Sequence, residues 1–184
     1  MKQYFYTFLI SLIGFNSMSQ SVDKASDLNG ITLGVDQTVF EGDIYLITGN
    51  EPAYLEAPSL QYSLKKKISV GIRDASYNGD NFKQFGDFNA SNITMQFFEG
   101  KLYKVQWTFR NKEALDATYN YLVNTYADKF GSSKEEFFDD FKQVEWQGRS
   151  HYAQVFMDNE ADVTLVFEDV KTSKKVMKAL SKAN

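Results

Sequence analysis

The sequence predicts an α+β fold: an antiparallel sheet built from two hairpin-then-helix units plus N-terminal strands, with the helices packed on one face. Two observations carry that prediction. Apolar residues alternate in adjacent pairs of runs, at 93–97 with 103–109 and again at 152–157 with 163–167, the period of two of a half-buried strand. Each pair is followed by apolar residues spaced by three and four, over 115–130 and 176–180, which is the stripe of an amphipathic helix.

Taken in order, the chain opens on Met1-Lys2 and an apolar run of twelve residues from Tyr4 to Phe15. That is too short to span a bilayer, which takes about 20 residues. Ser17-Met18-Ser19 supplies the small residues a signal peptidase reads. The expectation is a secretory signal over residues 1–19, cleaved after Ser19, with Gln20 first in the mature chain. Residues 20–29 then form a polar, flexible lead-in, and residues 30–184 a single domain.

Ile31, Leu33 and Val35 alternate and predict a first strand, and Ile44-Tyr45-Leu46-Ile47 a second. Pro52 and Pro58 bracket a loop. Residues 60–64 are ambiguous between helix and strand. Ile68, Val70 and Ile72 predict a third strand, with Lys65-Lys66-Lys67 as its solvated start. Residues 74–92 read as a long loop held down by Phe82, Phe85 and Phe88.

The stretch 92–131 organises the rest. Ile93, Met95 and Phe97 must share a face with Tyr103, Val105, Trp107 and Phe109, so odd residues pair with odd ones across the hairpin. A three-residue loop, Phe98-Glu99-Gly100, meets that condition with Gly100 at a G1 bulge, and sets Ile93 opposite Val105. A two-residue turn would send Trp107 to the wrong face. Asn111 is suited to capping a helix whose stripe is Leu115, Tyr119, Leu122, Tyr126 and Phe130 and whose end is Gly131. That helix is expected to fold back over its own hairpin, with Trp107 near the middle of the contact.

Ser133 and Glu136 have capping-box spacing. With Phe137, Phe138 and Phe141 they predict a short helix to about Lys142. Val144-Glu145-Trp146 starts a strand that Gly148 breaks. A four-residue tip, Asp158-Asn159-Glu160-Ala161, sets Phe156 opposite Val163 and Gln154 opposite Leu165 in the second hairpin. Thr172 or Ser173 then caps a last helix with Val176, Met177 and Leu180 on one face.

The order of these parts is similar to that of small uncharacterised exported α+β domains common in Bacteroidota. The resemblance rests on the N-terminal signal pattern, Asn29-Gly30-Ile31-Thr32-Leu33-Gly34, the Phe98-Glu99-Gly100-Lys101-Leu102-Tyr103 hairpin, Lys129-Phe130-Gly131 at a helix end, and the later Trp146 strand. It implies an exported α+β domain and assigns no catalytic residue.

Composition narrows the function. The chain has no cysteine and one histidine. It forms no disulfide, takes no lipid anchor through cysteine, and cannot build an ordinary zinc site alone. Removing residues 1–19 takes away one lysine and no acid, so net charge goes from −4 to −5, which argues against a nucleic-acid partner. His151 has no Gly-x-Ser-x-Gly serine to serve and reads as a strand-edge residue facing solvent. Asp158 to Asp162 alternates acids but lacks the glycine and closing glutamate of a calcium loop. Glu135-Glu136 and Asp139-Asp140, one turn apart on the expected helix, read as a solvated face. No phosphate-loop motif occurs. No catalytic residue, cofactor or metal ligand is assigned.

Five aromatics fit no stripe: Tyr54, Tyr62, Tyr77, Phe82 and Phe85. Gathered in two loops, they make a candidate contact surface. The expected function is a non-enzymatic exported module, periplasmic or secreted, binding an envelope or extracellular protein or a glycan, with no membrane span after signal cleavage. One alternative is a carboxylate-dependent hydrolase of glycan or cell-wall material, which needs two opposed acids. Another is an envelope structural component that pairs through a strand edge.

Overall fold

The computed structural model describes residues 21–51, 56–138, 141–158 and 162–183. The signal segment, Tyr54 and the tip of the second hairpin lie outside those residues. The fold is α+β, and the described residues form three α-helices and one large antiparallel sheet. The strands are β1 (Ile44–Leu46), β2 (Ile72–Tyr77), β5 (Asn92–Phe98), β6 (Lys101–Phe109), β7 (Lys134–Phe138), β8 (Phe141–Gln147), β9 (His151–Asp158) and β10 (Val163–Asp169). Their order across the sheet is β1-β2-β5-β6-β10-β9-β8-β7. A separate small hairpin joins β3 (Gln84–Phe85) to β4 (Phe88–Asn89). The helices are α1 (Pro58–Ser69), α2 (Leu115–Phe130) and α3 (Val170–Lys182).

Two three-stranded meanders, β2-β5-β6 and β8-β9-β10, meet along β6 and β10. There Leu165 opposes Trp107 and Phe167 opposes Val105. These residues join Ile93, Met95, Phe97, Trp146, Ala153 and Val155 in the main core, on the first face of the sheet. The α2 stripe packs there as its spacing predicts, with Tyr119, Leu122, Tyr126 and Phe130 buried. It lies over β9 and β10, rather than over its own hairpin. Trp107 is covered instead by the chain between β2 and β5. The Phe85 ring stands edge-on at 5.7 Å, and Trp107 Nε1 donates to the Phe82 carbonyl at 2.9 Å.

The expected placement of all helices on one face is corrected. Ile72, Phe98 and Tyr103 point away from the main core and form a second cluster with Val176 and Leu180 of α3. The second face also carries α1, tied down by an ion pair of 2.6 Å from Lys67 to Asp74. An eight-stranded sheet this apolar on both sides of β2 and β6 needs cover on both.

Several local expectations are corrected too. Residues 58–69 are helical, so Ile68, Val70 and Ile72 do not form a strand. Pro58 sits at the first helical turn, where it lacks no bond it needs. Gly71 follows with φ +85°, its amide bonded to the Ile68 carbonyl, so the apparent alternation straddles a helix end and a strand start. Residues 31–35 form no regular strand: Ile31 makes a lone bridge to Leu28, and the Gly34 amide reaches the Leu102 carbonyl. Residues 134–138 are strand β7 rather than a helix, because their amides and carbonyls pair with β8 in register Lys134↔Glu145. Within 74–92, the first residues continue β2 and the middle folds as the β3–β4 hairpin.

The two hairpin registers differ instructively. The first turns through Glu99-Gly100 alone, with φ +51° and +78°, the two-residue turn rejected from sequence. Parity is restored inside the strand. The register slips between Gln96 and Phe97, so that Phe97 opposes Leu102 while Ile93 opposes Trp107. Tyr103 is the extra residue of that bulge and joins the second-face cluster. In the second hairpin Met157 opposes Val163 and Val155 opposes Leu165, one residue from the expected pairing. Pairing odd residues with odd ones puts Val155, Met157, Val163 and Leu165 on one face, which the expected pairing does not.

The caps differ as well. Asn111 precedes a 3-10 turn, Lys112–Ala114, and makes no side-chain cap. Asp169, not Thr172 or Ser173, caps α3, accepting the Thr172 amide at 2.6 Å. The lead-in is anchored: Val22 and Leu28 are buried in the main core.

Candidate functional site

Among the described residues, α1 and α3 pack on the second face over β2, β5 and β6, and no helix lies over it at β7, β8 and β9. Its open part is a tied polar floor. Gln154 Nε2 donates to Gln143 Oε1 at 2.7 Å, and the Gln143 amide donates to Glu136. Lys134 bonds the same Glu136 and also faces Glu145 at 3.8 Å. Tyr152 donates its hydroxyl to Glu145 at 3.1 Å. Further in, Lys104 pairs with Glu168 at 3.1 Å. Strand register explains the set: Gln154 sits opposite Glu145, and Glu145 opposite Lys134, so one cross-strand row carries acceptor and donor in turn.

Electrostatics follow from these contacts. The Lys134 ammonium, with the Gln143 amide, holds the Glu136 carboxyl below its ordinary range. Burial pushes the Tyr152 phenol up, and Glu145 beside it adds to the shift. Tyr152 is therefore a neutral hydrogen-bonding group rather than a nucleophile or base.

At one end of the floor, Phe141 and Phe156 stand 5.8 Å apart with rings tilted by 36°. At the other, a cleft of about 410 Å³ opens between the floor and the first turns of α3. Tyr152, Glu168, Val170, Lys174 and Met177 line it. Met177, expected on the buried face of α3, is 67% exposed at this rim.

The aromatics singled out from sequence do not gather. Tyr77 and Phe85 are buried in the main core, and Phe82 packs half-buried against it. Tyr62 is 66% exposed, on α1. Tyr54 lies outside the described residues. The proposed surface read two core positions as loop positions because β2 runs on to Tyr77 and the β3–β4 hairpin tucks Phe85 under Trp107. His151 does not face open solvent: its ring stacks on Phe167 at 5.4 Å. Glu135-Glu136 occupy a strand, not a helical turn, so the two side chains point to opposite faces. The floor itself was missed. Its signal was the polar alternate set of the very runs read as strands: Gln143, Glu145, Tyr152 and Gln154.

Among the described residues, no group of three or more His, Cys, Asp or Glu side chains is placed to hold a metal ion. No described helix is long and apolar enough to cross a membrane.

No protein-family model matches the chain, and no curated protein matches it. Among solved structures, the chain is similar to a GTP binding regulator from Thermotoga Maritima, at 12% identity and a TM-score of 0.38, over 67% of this chain and 87% of that one. A likeness of that degree assigns neither a fold family nor an activity.

Proposed function

We propose that this protein is an exported, non-enzymatic binding module that holds its ligand on the open floor of β7–β9 and in the adjoining α3 cleft. The single observation that carries the reading is the tied floor: six polar side chains from three adjacent strands, each fixed by another. Fixed donors and acceptors bind with little ordering cost. Export rests on the basic start, the apolar run and Ser17-Met18-Ser19. The hydrolase reading asks for a carboxyl raised above its usual range. On the floor itself the Glu136 carboxyl is lowered instead, which weighs against it.

A second reading has its own observation. β7 is the last strand of the sheet, and Phe137 on it is 64% exposed. An edge of five residues suits strand addition by a partner, although Lys134, Glu135 and Glu136 are the charges that commonly blunt such edges.

The test is retention from an envelope fraction on immobilised mature protein, beginning at Gln20, against a Gln143→Ala/Gln154→Ala variant of unchanged circular dichroism. A molecule held by the wild type and released by the variant supports the floor. Equal retention by both sinks it, and loss on Phe137→Lys instead moves the site to the β7 edge.

A further inference from the structure

We infer that the ligand of the open floor is a neutral glycan. The inference rests on the reading above, that this face is the binding surface, and it names the ligand class from the chemistry the face presents.

The charge is balanced. The floor and cleft carry Lys104, Lys134 and Lys174 against Glu136, Glu145 and Glu168. Lys104 is already paired with Glu168, and Lys134 with Glu136. A polyanion would meet three carboxylates and a polycation three ammonium groups. A neutral polar ligand meets neither penalty.

The hydrogen-bonding groups are of the kind hydroxyls require. Each glutamine amide carries two N–H donors and a carbonyl with two lone pairs. The chain from Gln154 through Gln143 to Glu136 uses one N–H of each amide and one acceptor site on Gln143. Donor and acceptor capacity remains on both. A sugar hydroxyl both donates and accepts, so it can use either. Main-chain amides and carbonyls of β8 are committed to β7 and β9, so an extended peptide laid across this face would find no backbone to pair with.

The rings complete the match. Phe156 sits directly opposite Gln143 in the ladder, with Phe141 beside it. A pyranose ring has an apolar C–H face and a polar rim. It can set the first on the phenyl rings while the rim reaches the amides, the same division of labour that places aromatics at wet interfaces. From Phe156 to Tyr152 the strand advances about 13 Å at the usual rise, enough for a short run of sugar units rather than one. On the neighbouring strand Thr164 and Val166, opposite Phe156 and Gln154 and on the same face, are 1% and 5% exposed, so the accessible strip ends at β9.

The experiment uses the full mature chain from Gln20 on an array of neutral and anionic oligosaccharides, followed by calorimetric titration with the neutral oligosaccharide best retained. Heparin serves as the polyanion control. The expected result is binding of a neutral oligosaccharide that changes little with salt and weakens about tenfold or more in both Gln143→Ala and Phe156→Ala, each checked for an unchanged circular dichroism spectrum. Preference for heparin, no neutral glycan bound, or binding unaltered by both substitutions overturns the inference. If neutral glycans fail while retention of an envelope protein still depends on Gln143, the floor stands as a binding surface and the glycan is wrong. If neither depends on Gln143, both readings fall.

Discussion

Asp23 and Ser150 are 127 residues apart in sequence and meet twice: Asp23 Oδ1 accepts the Ser150 amide at 2.7 Å and the Ser150 hydroxyl at 2.8 Å. The same carboxylate takes the Arg149 and His151 amides, at 2.8 and 3.0 Å. Three successive N–H groups converging on one anion form a nest, and here the anion is the protein's own lead-in.

Burial alone would raise the Asp23 carboxyl. The three amides and the hydroxyl outweigh it and hold the group well below its ordinary value. Hydrogen bonds to a charged group contribute roughly 1.5–3 kcal/mol, and the half-exposed position favours the low end. Asp23→Ala is therefore expected to cost about 2 kcal/mol in urea unfolding. The sign of its pH dependence is fixed. Because the folded-state value is the lower one, the stabilisation is present in full above the unfolded carboxyl value of about 3.9 and fades as pH falls toward the folded value. The gap between wild type and Asp23→Asn should accordingly be widest near neutrality and narrow below about pH 4. A gap that stays constant on acidification would mean that Asp23 acts by shape and not by charge.

Gly148 makes the same contact selective. A Cβ there would lie 2.2 Å from Asp23 Oδ1 and 2.8 Å from the His151 carbonyl oxygen. Gly148→Ala must push the carboxylate out of its nest. Overpacking of this kind costs about 1–3 kcal/mol, and much of it should disappear in an Asp23→Ala background. Denaturant curves of the two single variants and the double variant test this through the coupling term. Strict additivity would place the strain at the His151 carbonyl instead.

The parts of the fold visible in the sequence share one property: their pattern is long compared with their ends. The β5–β6 runs and the α2 stripe extend over several periods, and the structure keeps both. Residues 68–72 and 133–138 were misread because a few apolar residues fit two periods at once. Ile68 and Ile72 are four apart, a helical spacing as much as two strand steps, and only the Gly71 turn separates them. Phe137 and Phe141 are also four apart, yet they belong to two strands of one hairpin. The floor was hidden for another reason. Polar residues alternating with a core set are what any half-solvated strand shows, and only register brings Gln143, Gln154 and Glu145 together.

Trp107 ties the core to the segment over it. Trp107→Phe keeps most of the packing but leaves the Phe82 carbonyl, which also accepts the Asn29 side-chain amide at 2.8 Å, short of one donor. The expected loss is about 1–3 kcal/mol, with faster proteolytic cutting in residues 78–91 than elsewhere. An unchanged cleavage pattern with the same loss of stability would assign the effect to packing alone.

The turn between β5 and β6 tests the corrected register. Both turn residues have positive φ, and Gly100 has open space around its Cβ position. The residue ill-suited to the conformation is Glu99, at φ +51°. Asn-Gly is the favoured pair for such a turn, because asparagine tolerates the left-handed region better than glutamate does. Glu99→Asn is expected to stabilise the protein by roughly 0.5–1 kcal/mol. Gly100→Ala is expected to destabilise it by about 1 kcal/mol through backbone strain, with no steric contribution. A three-residue loop would make the opposite demand at Glu99, whose φ would then be negative and whose replacement by asparagine would gain nothing. Thermal unfolding of the two variants therefore distinguishes the two-residue turn with its bulge at Tyr103 from the loop that parity alone suggests.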